Sequence, residues 1–232
     1  MIHHSYLHSW EYAEADFAPA LRMLEAEGRD LAGEVIYHTR HKECLRIAGE
    51  KLGLDFDIVV KRYAEKRFWR YFLRPSLAYR EYRGFRLAGE AGMPVARVLA
   101  LGEKRCFTYL RESFFITRYE AGAHSGFELI GGGDPAVRDE FIRLNLSLLA
   151  RLHRAGLIHG GFHSGNELFR IGADGAMSVV WIDLATVAPA RECRRFTMAD
   201  DVERFLRDFS LPAEAERKYR DWYAAELAKR EI

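Results

Sequence analysis

Apolar residues change their period several times along this chain, and each change marks an element. Over residues 10–28, Phe17, Leu21 and Leu24 recur at helical spacing among acidic residues, which predicts an amphipathic helix. From Gly33 the period shortens. Glu34-Val35-Ile36-Tyr37 and Glu43-Cys44-Leu45-Arg46-Ile47 flank the polar run His38–Lys42, the pattern of a β-hairpin. Phe56 to Tyr63 reads as a third strand, β-branched at its centre. Ser76 to Ala91 then predicts a helix with Leu77, Tyr82, Phe85, Leu87 and Ala88 among its apolar positions, stopped by Gly92 and Pro94. Short strands are expected at 95–101, 106–110 and 114–119. Three strands, one helix and further strands suit a small antiparallel sheet with a packed helix, an α+β arrangement.

The second half is helical in character. Tyr119-Glu120-Ala121-Gly122 reads as a crossover, and Gly131-Gly132-Gly133-Asp134-Pro135 as a flexible loop. Val137 to Arg154 is the strongest helical pattern, with Phe141, Leu144, Leu148, Leu149 and Leu152 along one stripe and Gly156 at its end. Strands are expected around Glu167–Ile171 and Met177–Ile182, joined by the turn Gly172-Ala173-Asp174-Gly175. The chain is helical from Ala199, with Pro212 near the start of its last helix. The organisation expected is an N-terminal helical extension (1–32), a sheet-based lobe (33–118) and a mainly helical compact lobe (119–232).

Composition narrows the function. The 232 residues are 49% hydrophobic and 30% charged, an ordinary globular balance that permits a sizeable core. A formal net charge of +1 gives no global field for nucleic acid, so any anion must be held by local clusters. The three cysteines, Cys44, Cys106 and Cys193, are far apart and lack C-x-x-C spacing, which argues against a disulfide framework or a zinc site and for a reducing cytosol. Met1-Ile2-His3-His4-Ser5 does not have the form of a signal peptide. No run approaches the ~20 apolar residues of a membrane span. A cytoplasmic protein, at most peripheral at the inner membrane face, is expected.

Two segments carry the chemistry. The run His159-Gly160-Gly161-Phe162-His163-Ser164-Gly165-Asn166, followed by Trp181-Ile182-Asp183-Leu184, resembles the catalytic loop and metal aspartate of protein-kinase-like phosphotransferases. Small-substrate kinases write this loop H-G-D-L-H-x-G-N. Both histidines, the glycine and the asparagine are kept, but Gly161 stands where the aspartate base belongs, so that position is vacant. Phosphoryl transfer depends on charge neutralisation and alignment more than on covalent participation. The resemblance implies Lys61, at the end of Ile58-Val59-Val60, as the lysine for the inner phosphates. Glu81 is its expected helix partner; Glu90 falls at the helix's far end and Glu65 precedes the helix. Asn166 and Asp183 are the expected oxygen ligands for Mg²⁺, a hard cation. Glu120 marks the crossover whose backbone would meet adenine.

Further matches narrow the family. Val60-Lys61-Arg62-Tyr63, Ala78-Tyr79-Arg80-Glu81 before Ala91-Gly92-Met93-Pro94-Val95, Leu152-His153-Arg154-Ala155-Gly156-Leu157-Ile158-His159-Gly160, Asn166 and Ile182-Asp183-Leu184 are similar to the lipopolysaccharide core kinases, the Kdo and heptose kinase group. The resemblance covers about residues 33–208. It implies a two-lobed protein-kinase-like fold, ATP and Mg²⁺, and phosphorylation of a sugar hydroxyl on a lipid-linked, anionic saccharide. Two other readings stay open: a pseudokinase acting as a binding or regulatory module, and a small-molecule phosphotransferase.

Two departures bear on activity. Loss of a general base at Gly161 is worth about 10²–10⁴ in rate. His163 is a conceivable substitute, but a structural role suits it better, since a histidine is usual at that place in small-substrate kinases. The hairpin tip His38-Thr39-Arg40-His41-Lys42 has no glycine to bring backbone amides to phosphate, leaving Arg40 and Lys42 to act through side-chain charge. Lys66-Arg67-Phe68-Trp69-Arg70-Tyr71-Phe72-Leu73-Arg74-Pro75 interleaves cations and aromatics, a pattern of peripheral membrane contact or of a packed connector. Arg194-Arg195 would suit an anionic acceptor. Asp200 or Asp201 is expected to anchor the loop.

Overall fold

The computed structural model describes residues 7–27, 33–64, 75–106 and 109–229. The chain divides into two compact units, residues 1–82 with 96–121, and residues 83–95 with 122–232.

In the first unit, β1 (Leu7–Ala13), β2 (Glu34–His38), β3 (Lys42–Ile47), β4 (Ile58–Ala64), β5 (Val98–Cys106) and β6 (Tyr109–Arg118) form one antiparallel sheet in the order β1-β5-β6-β4-β3-β2. The hairpin β2–β3 and the strand β4 fall where the apolar pattern puts them. The start of the chain's first helical pattern differs from expectation. Residues Leu7–Ala13 pair with β5 as an edge strand, and the helix α1 is confined to Ala18–Glu27. Trp10 and Tyr12 are strong strand formers, and the ladder offered by β5 outweighs a helical spacing that only Phe17, Leu21 and Leu24 enforce. In place of the short strands expected over 95–110 are two long paired strands, β5 and β6, whose ladder runs through register shifts at Val98/Ala100 and Lys104/Arg105.

Alternation along β4 buries Ile58 and Val60 on one face of the strand and Lys61 and Tyr63 on the other. Phe17, Ala20 and Leu21 close a core with Ile47, Leu52, Ile58, Val60, Leu99, Ala100 and Ile116. Burial of such side chains is worth about 1.5–3 kcal/mol each, which makes α1 part of the sheet's core.

Helix α2 (Leu77–Glu90) begins at Ser76, whose Oγ accepts the Tyr79 N–H at 3.1 Å. It ends where Gly92 turns left-handed (φ 73°) and Met93 N–H returns to Ala88 O at 2.9 Å. In the second unit, α3 (Pro135–Arg154) is capped by Asp134 and starts on a proline. α4 (Met198–Asp208) starts with a Thr197/Asp200 capping box, and α5 (Ala213–Ala228) packs on α3, with Tyr219 donating to Asp139 at 2.7 Å. Between the helices lie two small antiparallel groups: β7 (His124–Ser125) with β9 (Glu167–Ile171) and β10 (Met177–Trp181), and β8 (Leu157–Ile158) with β11 (Ala188–Pro189). The fold is α+β, an antiparallel-sheet unit followed by a mainly helical one. No helix among the described residues is long and apolar enough to cross a membrane.

Candidate active site

In the sheet unit the lysine position is built on β4. Lys61 pairs with Phe115 on β6 and Cys44 on β3, so its strand is central and its ammonium is carried inward. The ammonium is ion-paired with Glu81 of α2, and both residues are buried, Glu81 completely. Tyr63, two residues along β4 and therefore on the same face, donates its hydroxyl to the other Glu81 oxygen. Position i+2 from the lysine was the signal for this third member, which the pattern of motifs alone did not reveal. Desolvating two charges is costly, and the pair persists because each partner is hydrogen-bonded as well as opposed in charge. A buried ammonium held at fixed direction is suited to a polyphosphate. Glu120 is half-buried in the stretch after β6, where the Ala121 N–H donates to Tyr119 O at 3.1 Å.

The hairpin tip closes on itself, with Thr39 N–H to Lys42 O at 2.8 Å and Lys42 N–H to Thr39 Oγ1 at 3.1 Å. A hollow of about 230 Å³ there is lined by His38, Arg40, His41, Lys42 and Arg62, with Glu43 and Glu112. Residues 65–74, which hold Glu65 and all of the basic-aromatic run 66–75 except Pro75, lie outside the described residues.

In the helical unit two loops are tied at both ends by strand pairs. β8 leads into 159–166 and β9 leaves it; β10 leads into 182–187 and β11 leaves it. Because β8 pairs with β11 and β9 with β10, the loops are held against each other. Ile182 N–H donates to Asn166 O at 2.8 Å, so Asn166 and Asp183 stand at adjoining ends of the two loops. Asn166 Nδ2 donates weakly to Gly161 O at 3.4 Å. Asp183 has φ 59°, a left-handed conformation that costs a non-glycine residue about 1–2 kcal/mol. Its neighbours enforce it. Trp181 N–H donates to Pro94 O at 2.7 Å, Trp181 Nε1 donates to buried Asn145 at 2.9 Å, and Leu184 O lies 1.8 Å from where a Cβ on Gly84 would sit. An amide and a carboxylate at adjoining loop ends match the oxygen donors a hard divalent cation takes. Among the described residues no group of three His, Cys, Asp or Glu is clustered for a metal.

The catalytic-like loop is anchored from α4. Asp201 accepts the N–H groups of His159 and Gly160, each at 2.8 Å, and stands 3.2 Å from His153 Nε2. Asp208 accepts both the N–H and Oγ–H of Ser164 at 2.8 Å. Seven residues apart, these carboxylates share one helix face and grip both ends of the loop. Of the two candidates, Asp201 does this; Asp200 completes the Thr197 cap. His163 is used locally: its Nδ1 accepts the Gly165 N–H at 3.2 Å and its ring stacks on Phe127. His159 is fully buried between Phe162 and Trp181, and among the described residues neither ring nitrogen has a hydrogen-bond partner. Burial lowers its pKa to about 4, so the ring is neutral. Glu167 is also fully buried, and burial, then the nearby Asp208 charge, push its pKa well up. Neither residue's burial was legible in its motif. Arg194 and Arg195 are exposed after β11.

Comparisons with known proteins bear on the fold and the family. A solved structure described as "WaaP in complex with acyl carrier protein" is similar in fold, with a TM-score of 0.65 and 17% identity over 96% of this chain and 90% of that one. That structure includes a protein partner, a kind of contact that no motif of this chain announces. No curated protein matches the sequence. The model of the lipopolysaccharide kinase (Kdo/WaaP) family matches residues 59–227, which takes in Lys61, Glu81, the 159–166 loop, Asp183 and Asp201. With most of its length matched, the chain belongs to the lipopolysaccharide kinase (Kdo/WaaP) family.

Proposed function

We propose that this protein binds ATP with Mg²⁺ and transfers the terminal phosphoryl group to a sugar hydroxyl of a lipopolysaccharide-core type saccharide, with activity reduced by the glycine at 161. Lys61, fixed by Glu81 and Tyr63, takes the inner phosphates. Asn166 and Asp183 hold the cation, which neutralises charge on the transferring group. Asp201 and Asp208 keep the loop in register. His163 shapes the loop, and Glu120 lies in the backbone stretch that meets the base. The observation that carries the reading is the buried Lys61–Glu81 pair, which is costly to build and leaves an oriented ammonium. Titration with mant-ATP, with and without Mg²⁺, tests it. Saturation in the micromolar range that needs Mg²⁺ is expected, and no binding at millimolar nucleotide overturns it.

One observation favours a second reading, a pseudokinase used as a binding module. Gly161 offers no carboxylate to accept the acceptor's proton. Comparing the wild type with Gly161→Asp separates the two: ATP-dependent phosphorylation by the variant alone assigns the natural chain to the second class. Phosphorylation by both assigns it to the first.

A further inference from the structure

The space beside Gly161 is already taken. A Cβ built on Gly161 would lie 2.9 Å from Thr186 Oγ1, 3.9 Å from Thr186 Cβ and 4.0 Å from His159 Nδ1. The same threonine closes on Gly160, where a Cβ would meet Thr186 O at 3.2 Å, Thr186 Cβ at 3.3 Å and Phe196 at 3.2 Å. Gly160 has φ 71°, so only a residue without a side chain fits there and lets the 182–187 loop come this close. The strand pairs β8–β11 and β9–β10 hold that approach from both ends.

Thr186 differs from the other polar groups around this position in being exposed. His159 is sealed beneath the loop, Glu167 is fully buried, and His163 is engaged with the Gly165 N–H. A hydroxyl both donates and accepts, so an exposed one within a carboxylate's reach of residue 161 can accept a hydrogen bond from an incoming alcohol.

We infer that Thr186 Oγ1 takes the place of the absent carboxylate as the group that orients the acceptor hydroxyl, while leaving proton acceptance to the phosphoryl group. The inference rests on the kinase reading above. The acceptor oxygen forms the new P–O bond as the bridging P–O bond to ADP breaks, and the hydroxyl's proton passes to a non-bridging oxygen of the transferred group. Thr186 keeps its own proton throughout, because a hydroxyl is too weak a base to hold a second. Its contribution is alignment, which is worth about 10–100-fold when a reacting group is misplaced by an ångström.

The test uses the full chain, ATP·Mg²⁺ and a deacylated lipopolysaccharide core oligosaccharide as the acceptor probe, with mant-ATP binding measured in parallel. Thr186→Val keeps the shape and removes the hydroxyl; Thr186→Ser restores it. The expected result is unchanged mant-ATP affinity and KM for ATP in both variants. kcat should fall about 10–100-fold in Thr186→Val and recover most of its value in Thr186→Ser. Wild-type turnover in Thr186→Val, or no recovery in Thr186→Ser, overturns the inference. So does a wild type that binds nucleotide but phosphorylates no probe, while a wild type that fails to bind mant-ATP defeats the kinase reading itself.

Discussion

Asp201 reaches from α4 to accept the backbone N–H groups of His159 and Gly160, forty-two and forty-one residues earlier in the chain. Both bonds run to a buried carboxylate, and charge-assisted bonds of this kind are the stronger class. Asp201→Asn keeps one acceptor and turns the other into a donor facing an N–H. We expect a loss of about 2 kcal/mol, seen as a Tm fall of roughly 4–8 °C. The amides of His159 and Gly160 should exchange faster. Unchanged exchange at those two amides would refute the anchor.

Removing one partner of the Lys61–Glu81 pair should cost more than removing both. Lys61→Met leaves a buried carboxylate uncompensated, at about 3–5 kcal/mol, whereas Lys61→Met/Glu81→Gln recovers part of that loss. Denaturant unfolding of the two single variants and the double checks this. Additive losses would mean that the two residues are not coupled.

Asp183→Asn tests the cation site without disturbing the loop. Asparagine tolerates the left-handed conformation at this position as well as aspartate does, so Tm should stay within about 2 °C. Mg²⁺-dependent nucleotide affinity should fall about tenfold or more, because a charged ligand is exchanged for a neutral one. Equal Mg²⁺ dependence in the variant would remove Asp183 from the site.

His159 sets an acid limit on stability. Its folded pKa, about 4, lies below the ordinary 6.5, so the folded state resists protonation. The stability it contributes is present above pH 6.5 and is lost as the pH falls through that value towards 4, at most about 3 kcal/mol. In His159→Phe, whose ring suits the Phe162 and Trp181 surroundings, the fall in Tm between pH 7.5 and pH 5 should shrink. The same fall in both proteins would sink the assignment.

Glu167 acts in the opposite sense. Its folded pKa is raised above 4.5 by burial and by Asp208. Its contribution is therefore present below pH 4.5 and lost as the pH rises towards its folded value. Glu167→Gln removes the titrating group, so its Tm advantage over the wild type should grow from pH 5 to pH 8. A constant or shrinking difference is the contrary result.

Most of the fold could be read from the chain because apolar periodicity and glycine stops are local. The hairpin at 34–47, α3 with its Asp134–Pro135 start and the strands around Gly172–Gly175 are of this kind. Leu7–Ala13 escaped because an edge strand is decided by a partner ninety residues away, and no local spacing records it. The site divides the same way. Lys61, Glu81, Asn166 and Asp183 carry motifs with fixed neighbours in sequence. Tyr63, Asp208 and Thr186 act through contacts between distant segments, which a motif does not encode. That Gly161 lacks a carboxylate is written in the sequence; that a threonine hydroxyl stands in that space is not.

The position of both loop anchors on α4 also sets an order of events during synthesis. The 159–166 segment leaves the ribosome with no carboxylate to hold its amides, and Asp208 follows Ser164 by forty-four residues. At translation rates of about 5–20 residues per second, the nascent loop stays untethered for several seconds. Any chain cut short before residue 198 would carry every motif of the loop and its strand pairs, but neither of the carboxylates that hold its amides.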